Sequence, residues 1–199
     1  MEILTALTRV VPFAAASGIN LYATVAVLGL GGRYELFELP EQFATLEHPL
    51  VITVALLLFL AEFVADKIPW FDSVWDAIHT VIRPIGGAAI AVAALGDSSS
   101  TMAGLAALVG GGVALTTHLT KAGTRAVANT SPEPLSNWTL SLIEDAFVIG
   151  LTYVAVQHPY LALTVALLLL AVIGTFAAVL VRALRRRYAA WTRSAMSAS

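Results

Sequence analysis

Cysteine is absent from the 199-residue chain, which excludes a disulfide framework, a thiolate metal site and a cysteine nucleophile. Charged residues make up only 12% of the sequence, whereas a soluble domain carries about 25%. Hydrophobic residues make up 58%, and the mean hydropathy is +0.83. So few charges cannot cover a globule with a water-compatible surface. The chain is therefore predicted to be an integral membrane protein.

Several catalytic and nucleotide-binding signatures are also missing. The sequence contains no P-loop, no Gly-x-Ser-x-Gly, no His-Glu-x-x-His and no Gly-x-Gly-x-x-Gly. No cofactor and no nucleic-acid partner is predicted, and a function other than catalysis is favoured. The start, with Glu2 and Arg9 before the first long apolar run, lacks the basic segment of a secretory signal. The first helix is therefore expected to be retained.

The apolar runs predict an all-α, polytopic helical bundle with about six transmembrane helices, at about 20 residues a span. A single transmembrane domain over 1–184 and a basic tail over 185–199 are expected. The predicted spans are 10–30, 50–66, 72–97, 102–127, 138–157 and 160–182.

Two of these spans are irregular. The run Ser17-Gly18-Ile19-Asn20 interrupts the first. In the third, the apolar part 85–97 is only about 20 Å long as a helix, against a hydrocarbon core of about 30 Å. It must therefore be extended by the polar stretch 72–83, which joins it at Pro84. The sequence predicts a broken helix over 72–97, of the kind tolerated where protein or a water-filled cavity surrounds it.

Charge asymmetry predicts the topology. The loop 33–49 is acidic, and the last span ends in a cluster of arginines that includes Arg182 and Arg185. Basic segments stay in the cytoplasm, so the loop is expected outside and the tail inside. With six spans, both termini are then cytoplasmic.

Polar residues recur at helical spacing on every predicted span except the sixth, including Asn20 on the first. Those of the third span are 4, 3 and 4 residues apart and project from one narrow face. Lipid cannot solvate such faces, so they are expected to face one another around a polar pathway. The predicted pathway residues are Glu62, Asp66, Asp72, Asp76, His79, Arg83, His118, Lys121, Arg125, Asn137, Glu144 and Asp145.

Individual members suggest different chemistry. Arg83 and Arg125 are the predicted anion contacts, because guanidinium grips carboxylate or phosphate bidentately. The adjacent pair Glu144-Asp145 is the predicted proton site, because neighbouring like charges raise one pKa. The triple glycine at 110–112 and Gly86-Gly87 are expected to permit close helix contact.

Two other interpretations of the same residues stay open. The charges could form a structural network of ion pairs, with long side chains reaching water at the helix ends. A metal site could also be formed, since carboxylate and histidine side chains hold metals inside helical bundles. Its candidate ligands are Asp72, Asp76, His79, His118 and Glu144.

The sequence resembles the bacterial membrane family called domain of unknown function 4126. One signature is Ala65-Asp66-Lys67-Ile68-Pro69 with Asp72, Asp76 and Ile82-Arg83-Pro84, and the Ser17-Gly18 break also fits. The second is Lys121-Ala122, Thr124-Arg125, Asn129, Ser131-Pro132-Glu133-Pro134, Ser136-Asn137 and Glu144-Asp145-Ala146. The resemblance implies a multi-pass membrane fold, and the expected location of the chain is the bacterial inner membrane. It implies no substrate, cofactor or catalytic residue.

The leading functional hypothesis is a small transporter or channel-like permease for an unidentified solute or ion. The first alternative is a flippase- or scramblase-like protein that recognises an anionic lipid headgroup. The second is a membrane-embedded metal-dependent enzyme, and the third is a structural subunit. The expected partners are membrane lipids, the transported species and, as one possibility, further copies of the chain.

Overall fold

The computed structural model describes residues 3–129 and 134–197, and all regular secondary structure in them is helical. The predicted all-α class is therefore confirmed. The helices are α1 (Ile3–Ile19), α2 (Leu21–Arg33), a 3-10 helix (Glu41–Glu47), α3 (Pro49–Ala65), α4 (Pro69–Leu95), α5 (Ser100–Ala128), α6 (Pro134–Gln157) and α7 (Pro159–Ser197).

Proline sets the start of four of these helices. Pro49, Pro69, Pro134 and Pro159 each occupy the first position of their helix. The fixed φ of proline suits that position, and its missing N–H is not needed there. The prolines that limit the apolar runs in the sequence thus begin helices.

Four helices in the described part of the chain are long and apolar enough to cross a membrane, namely α4, α5, α6 from Asn137 and α7 up to Arg182. The 3-10 helix and α3 together form a fifth candidate, bent by 68°. The predicted transmembrane bundle is confirmed. The structure supports four or five crossings, where about six were predicted.

The first predicted span, 10–30, is divided between α1 and α2, of 17 and 13 residues. At 1.5 Å per residue they are about 26 and 20 Å long, short of the roughly 30 Å core. Asn20 separates them with an extended backbone (φ −148°, ψ 100°), and its side chain accepts a hydrogen bond from the Ala23 N–H at 2.9 Å. The predicted interruption at 17–20 is confirmed, and Asn20 is the N-cap that starts a new helix.

Both ends of the α1–α2 pair lie at the same end of the bundle. Val10 of α1 packs in one cluster with Leu95, the last residue of α4. The 3-10 helix that follows α2 returns to this end, because its Phe43 ring meets the Phe13 ring of α1 edge-on at 5.8 Å. The pair is therefore a re-entrant hairpin, which we call the α1–α2 hairpin. The single crossing predicted for 10–30 is corrected, because the chain turns back at Asn20.

Residues 69–95 form one continuous helix with Pro84 inside it, so the predicted break at Pro84 is corrected. Proline removes one backbone hydrogen bond, and helices inside a protein-lined bundle tolerate that loss. Close packing encloses this point: a Cβ added at Gly111 of α5 would come within 3.2 Å of the Pro84 carbonyl oxygen. Gly87 of α4 and Gly110 of α5 leave no room for a side chain between the two helices. This is the close helix contact that the sequence predicts at these glycines.

The chain forms two compact units, one up to Ala166 and one from Leu167. The first contains α1 to α6 and the start of α7. The second is the rest of α7, where apolar side chains such as Leu168, Val172 and Phe176 are exposed, as expected of a lipid-facing helix. The predicted division into 1–184 and 185–199 stays a prediction.

Candidate functional site

One face of α4 buries four ionisable side chains, those of Asp72, Asp76, His79 and Arg83. Their spacing of 4, 3 and 4 residues places them one above the other, as the sequence predicts. Arg83 is near the middle of the helix and is completely buried. A guanidinium therefore lies at mid-depth of a predicted membrane span.

Three further elements place polar side chains against this face. Nearly all of these groups are buried, and Glu144 has the most exposed carboxylate among the ion-paired acids, at 12%. The structure thus brings all the predicted pathway residues together, and their function stays a prediction. We call the set the charged cluster: the four residues of α4, then Glu62 and Asp66 at the end of α3, His118, Lys121 and Arg125 of α5, and Asn137, Glu144 and Asp145 of α6.

Glu62 joins two cations in one half of the cluster. Its Oε1 accepts hydrogen bonds from Arg83 Nη2 at 2.6 Å and from Lys121 Nζ at 2.7 Å. Arg83 also donates Nη1 to the Gly18 carbonyl at 3.1 Å. Charge-assisted bonds of this kind are about twice as strong as neutral ones. They fix Arg83 between α3 and the hairpin.

Arg125 occupies the other half and meets three carboxylates. It pairs with Asp66, and its Nε lies 3.8 Å from Asp72 and 3.6 Å from Glu144. Lys121 lies between the two halves, 3.6 Å from Asp66 and 3.7 Å from Glu144. The arginines predicted as anion contacts are thus held by the carboxylates of the protein itself.

The hydrogen bonds of His118 define its tautomer. Its Nδ1 faces the Arg83 Nη1 donor at 2.9 Å, so Nδ1 must be the acceptor. Its Nε2 therefore carries the proton, which points at the Asp76 carbonyl at 3.1 Å and the Thr80 hydroxyl at 3.1 Å. A second proton on this ring would face a guanidinium, so His118 acts as a neutral link between α4 and α5.

His79 has the opposite tautomer. Its Nδ1 lies 2.7 Å from the Trp75 carbonyl, which can only accept, so Nδ1 carries the proton. Its Nε2 then accepts from the Tyr22 hydroxyl at 2.8 Å. The Trp75 ring stacks on the imidazole at 4.6 Å. His79 is fully engaged by α4 and by the hairpin.

The tip of the hairpin contributes three groups, of which the sequence analysis placed Asn20 among the inward-facing polar residues but not in the list of pathway residues. Asn20 donates Nδ2 to Asp145 Oδ1 at 3.0 Å, Tyr22 bonds His79, and Gly18 offers its carbonyl to Arg83. Asn20 is recognisable in the sequence as an amide in an apolar run, which is costly unless it is paired. Nothing in the sequence pattern pointed to Tyr22.

The carboxylates of Glu144 and Asp145 do not face each other, although they are adjacent in the chain. Glu144 points toward Lys121 and Arg125, whereas Asp145 bonds Asn20. Successive residues of a helix project about 100° apart, which explains the separation. Each acid thus has partners of its own, and the proton site at this pair stays a prediction.

Acidic groups outnumber basic ones in the cluster. Arg83, Lys121 and Arg125 are its fully buried cations, and Lys67 lies at its edge. Lys67 bonds the Phe63 carbonyl at 2.8 Å and the Ser141 hydroxyl at 3.4 Å, and partial burial lowers the pKa of its ammonium. Against these four cations stand six carboxylates: Glu62, Asp66, Asp72, Asp76, Glu144 and Asp145.

A cleft of 210 Å³ between α4 and α5 leads to the cluster. It lies near the start of α4 and the end of α5, at the end of the bundle opposite to Leu95. Its walls combine small residues with charged groups of both signs. They are Asp72, Ser73, Asp76, Ala77, Thr80, Ala122, Arg125, Ala126 and Asn129.

The residues proposed as metal ligands do not converge. Among the residues that the structure describes, no group of three or more His, Asp or Glu side chains is placed to hold a metal ion. His79 and His118 are engaged by Tyr22 and Arg83, which leaves neither ring free in this arrangement. The metal interpretation finds no support in the geometry.

Comparison with known proteins identifies the family. The model of the family described as Domain of unknown function (DUF4126) matches residues 7–180. This stretch includes the hairpin tip and every residue of the charged cluster. Comparisons with curated proteins and with solved structures give no match. With most of its length matched, the chain belongs to the DUF4126 family.

Proposed function

We propose that the chain is a small membrane permease whose pathway passes through the charged cluster and carries a cation or a proton-coupled solute. One observation carries the proposal: six carboxylates meet four cations inside a helical membrane bundle. A charge at mid-bilayer costs roughly 3 kcal/mol on insertion scales. A purely structural network needs balanced pairs, so the surplus of acid favours the binding of a positive charge.

The composition of the cluster argues against an anionic lipid headgroup as the main ligand. An incoming phosphate would have to displace Glu62 from Arg83, or Asp66 from Arg125, and would face the remaining carboxylates. One feature does favour lipid handling: the cleft beside Arg125 is lined by two neighbouring helices, α4 and α5, and lipid entry needs an opening between helices. Headgroup transfer is therefore the second candidate function.

We further propose an orientation in the bacterial inner membrane. The arginine-rich end of α7 would lie in the cytoplasm and the acidic loop 33–49 outside, in keeping with the positive-inside rule. The α1–α2 hairpin enters and leaves at the end of the bundle where this loop lies. Under this proposal the N-terminus also lies outside, which is an alternative to the sequence-based prediction that both termini are cytoplasmic.

Reconstitution into liposomes tests the function. Flux of protons, Na⁺ and K⁺ down an imposed gradient is measured for the wild type, for Glu144→Gln and for the control Glu41→Gln in the exposed loop. We expect cation flux that falls to background in Glu144→Gln and is unchanged in Glu41→Gln.

Lipid scrambling and metal content are measured on the same preparation. Scrambling without ion or solute flux, lost in Arg125→Ala, would replace the permease by the second candidate. Stoichiometric bound metal that is lost in His79→Ala and His118→Ala would favour an enzyme. Equal flux in Glu144→Gln and wild type would show that the pathway does not pass through the charged cluster.

A further inference from the structure

Asp76 differs from Asp72, the other carboxylate that lines the α4–α5 cleft. The residue is 6% exposed, and its Oδ1 is buried without a hydrogen bond. Its ion-pair contact within the described chain is with Arg83, at 4.0 Å. Asp72, one turn away, accepts a hydrogen bond from Asn129 at 2.7 Å. Asp76 thus lines a cleft without a hydrogen-bonded partner of its own.

Three neighbouring side chains direct hydrogen-bond donors to acceptors other than the Asp76 carboxylate. The Thr80 hydroxyl donates to the backbone carbonyl of Asp76, not to its carboxylate, at 2.9 Å. His118 Nε2 points at that same carbonyl. Arg83 directs Nη1 to Gly18 and His118 and Nη2 to Glu62, and its Nε is buried without a hydrogen bond. In this arrangement none of these donors bonds the Asp76 carboxylate.

A buried carboxylate without a hydrogen bond is unfavourable in its charged form, and a bound proton neutralises such a group. The surrounding charges do not remove this need, because the nearby cations are neutralised by other acids. Glu62, Asp66 and Glu144 already offset the three buried cations. The charged and titratable groups around Asp76 are Asp72 and Arg83 on α4, Asp66 after α3, and His118, Lys121 and Arg125 on α5.

We propose that Asp76 is a proton-binding site, loaded and unloaded through the cleft between α4 and α5. This deepens the proposed permease function and rests on it for its purpose, because the bound proton would be the coupling ion. Protonation removes the buried charge of Asp76 that no hydrogen bond stabilises, and it turns one carboxyl oxygen into a donor. The cleft, at the end of the bundle opposite to the hairpin entry, gives the proton a route from that side.

Infrared difference spectroscopy on the purified, full-length protein in lipid tests the site without transport. A pH change should produce a carboxylic-acid C=O band that is absent in Asp76→Asn and retained in the control Glu41→Gln. Because Asp76→Asn could misfold, Ala77→Leu provides a second variant, which fills the cleft and keeps every charge. Its Asp76 band should persist but follow a pH jump more slowly than in wild type.

Three outcomes would overturn the site. In the first, the wild type and Asp76→Asn give the same carboxylic-acid bands. In the second, the Asp76 band changes only when Na⁺ or K⁺ is varied at constant pH. In the third, the band of Ala77→Leu follows a pH jump as fast as that of the wild type. The two proposals fail separately. If the Asp76 band is present but the protein shows no flux, the proton site stands and the permease function is refuted. If flux is present but the Asp76 band is not, the permease function stands and the proton site is refuted.

Discussion

Replacing Arg83 by alanine tests whether the charged cluster holds the bundle together. The side chain is fully buried and bonds Glu62 at 2.6 Å, His118 at 2.9 Å and the Gly18 carbonyl at 3.1 Å. Its removal strands the Glu62 carboxylate with Lys121 as its remaining charged partner. Breaking a buried pair in this way costs about 3–5 kcal/mol. The unfolding equilibrium should shift by roughly a hundredfold to several thousandfold, at 1.36 kcal/mol per decade.

The assay is reversible unfolding in mixed micelles, followed by near-ultraviolet circular dichroism. Arg33→Ala is the matched control, because this arginine is largely exposed and makes one long bond of 3.4 Å, to the Glu47 carbonyl. Surface pairs contribute about 0–1 kcal/mol. The double variant Arg83→Gln, Glu62→Gln should recover much of the loss, because neither charge is left alone. If Arg83→Ala loses no more stability than Arg33→Ala, the ion-pair geometry derived for Glu62 is incorrect.

Three further predictions concern the α1–α2 hairpin. Because the chain has no cysteine, single cysteines introduced at Leu4 and Glu41 can be labelled directly. Both should react with an impermeant thiol reagent added outside intact cells. Protection of Leu4→Cys from the reagent would refute the hairpin topology. Gly18→Ala should lower the free energy of unfolding by about 1–3 kcal/mol, because the added Cβ would overlap backbone atoms of α5. The control Gly112→Ala has open space around the added Cβ and should be neutral or slightly stabilising. Equal unfolding midpoints of the two variants would contradict this prediction. Asn20→Asp keeps the N-cap but places a second carboxylate against Asp145. The free energy of unfolding of this variant, relative to wild type, should therefore rise as the pH falls and the two carboxylates take up a proton. If stability depends on pH in the same way in both proteins, the 3.0 Å contact between Asn20 and Asp145 is absent.

The sequence was sufficient to predict the membrane class and the membership of the cluster. Low charge content requires a lipid environment, and helical spacing puts Asp72, Asp76, His79 and Arg83 on one face regardless of the rest of the fold. Apolar solvent then forces such faces inward. Burial of the predicted residues follows from these two physical facts.

The path of the chain and the pairing within the cluster could not be predicted in the same way. Hydropathy does not depend on the direction of the chain in the membrane. An apolar run interrupted at Asn20 therefore has the same hydropathy profile whether the chain crosses the membrane or turns back at that residue. Pro84 was expected to break its helix, but the close packing of α5 against that turn keeps it continuous. Whether Arg83 pairs with Glu62 or with Asp76 depends on the relative rotation of α3 and α4. No single-helix pattern contains that rotation.

The bridging position of Glu62 has a consequence for biogenesis. Its two cationic partners are made later, Arg83 after 21 residues and Lys121 after 59. During co-translational insertion α3 would therefore reach the translocon before Lys121 is synthesised. It must wait there, or in a hydrated site beside an insertase, until α5 is synthesised. A nascent chain arrested after α4 would present Asp66 without its partner Arg125 to membrane quality control, and we expect its rapid degradation.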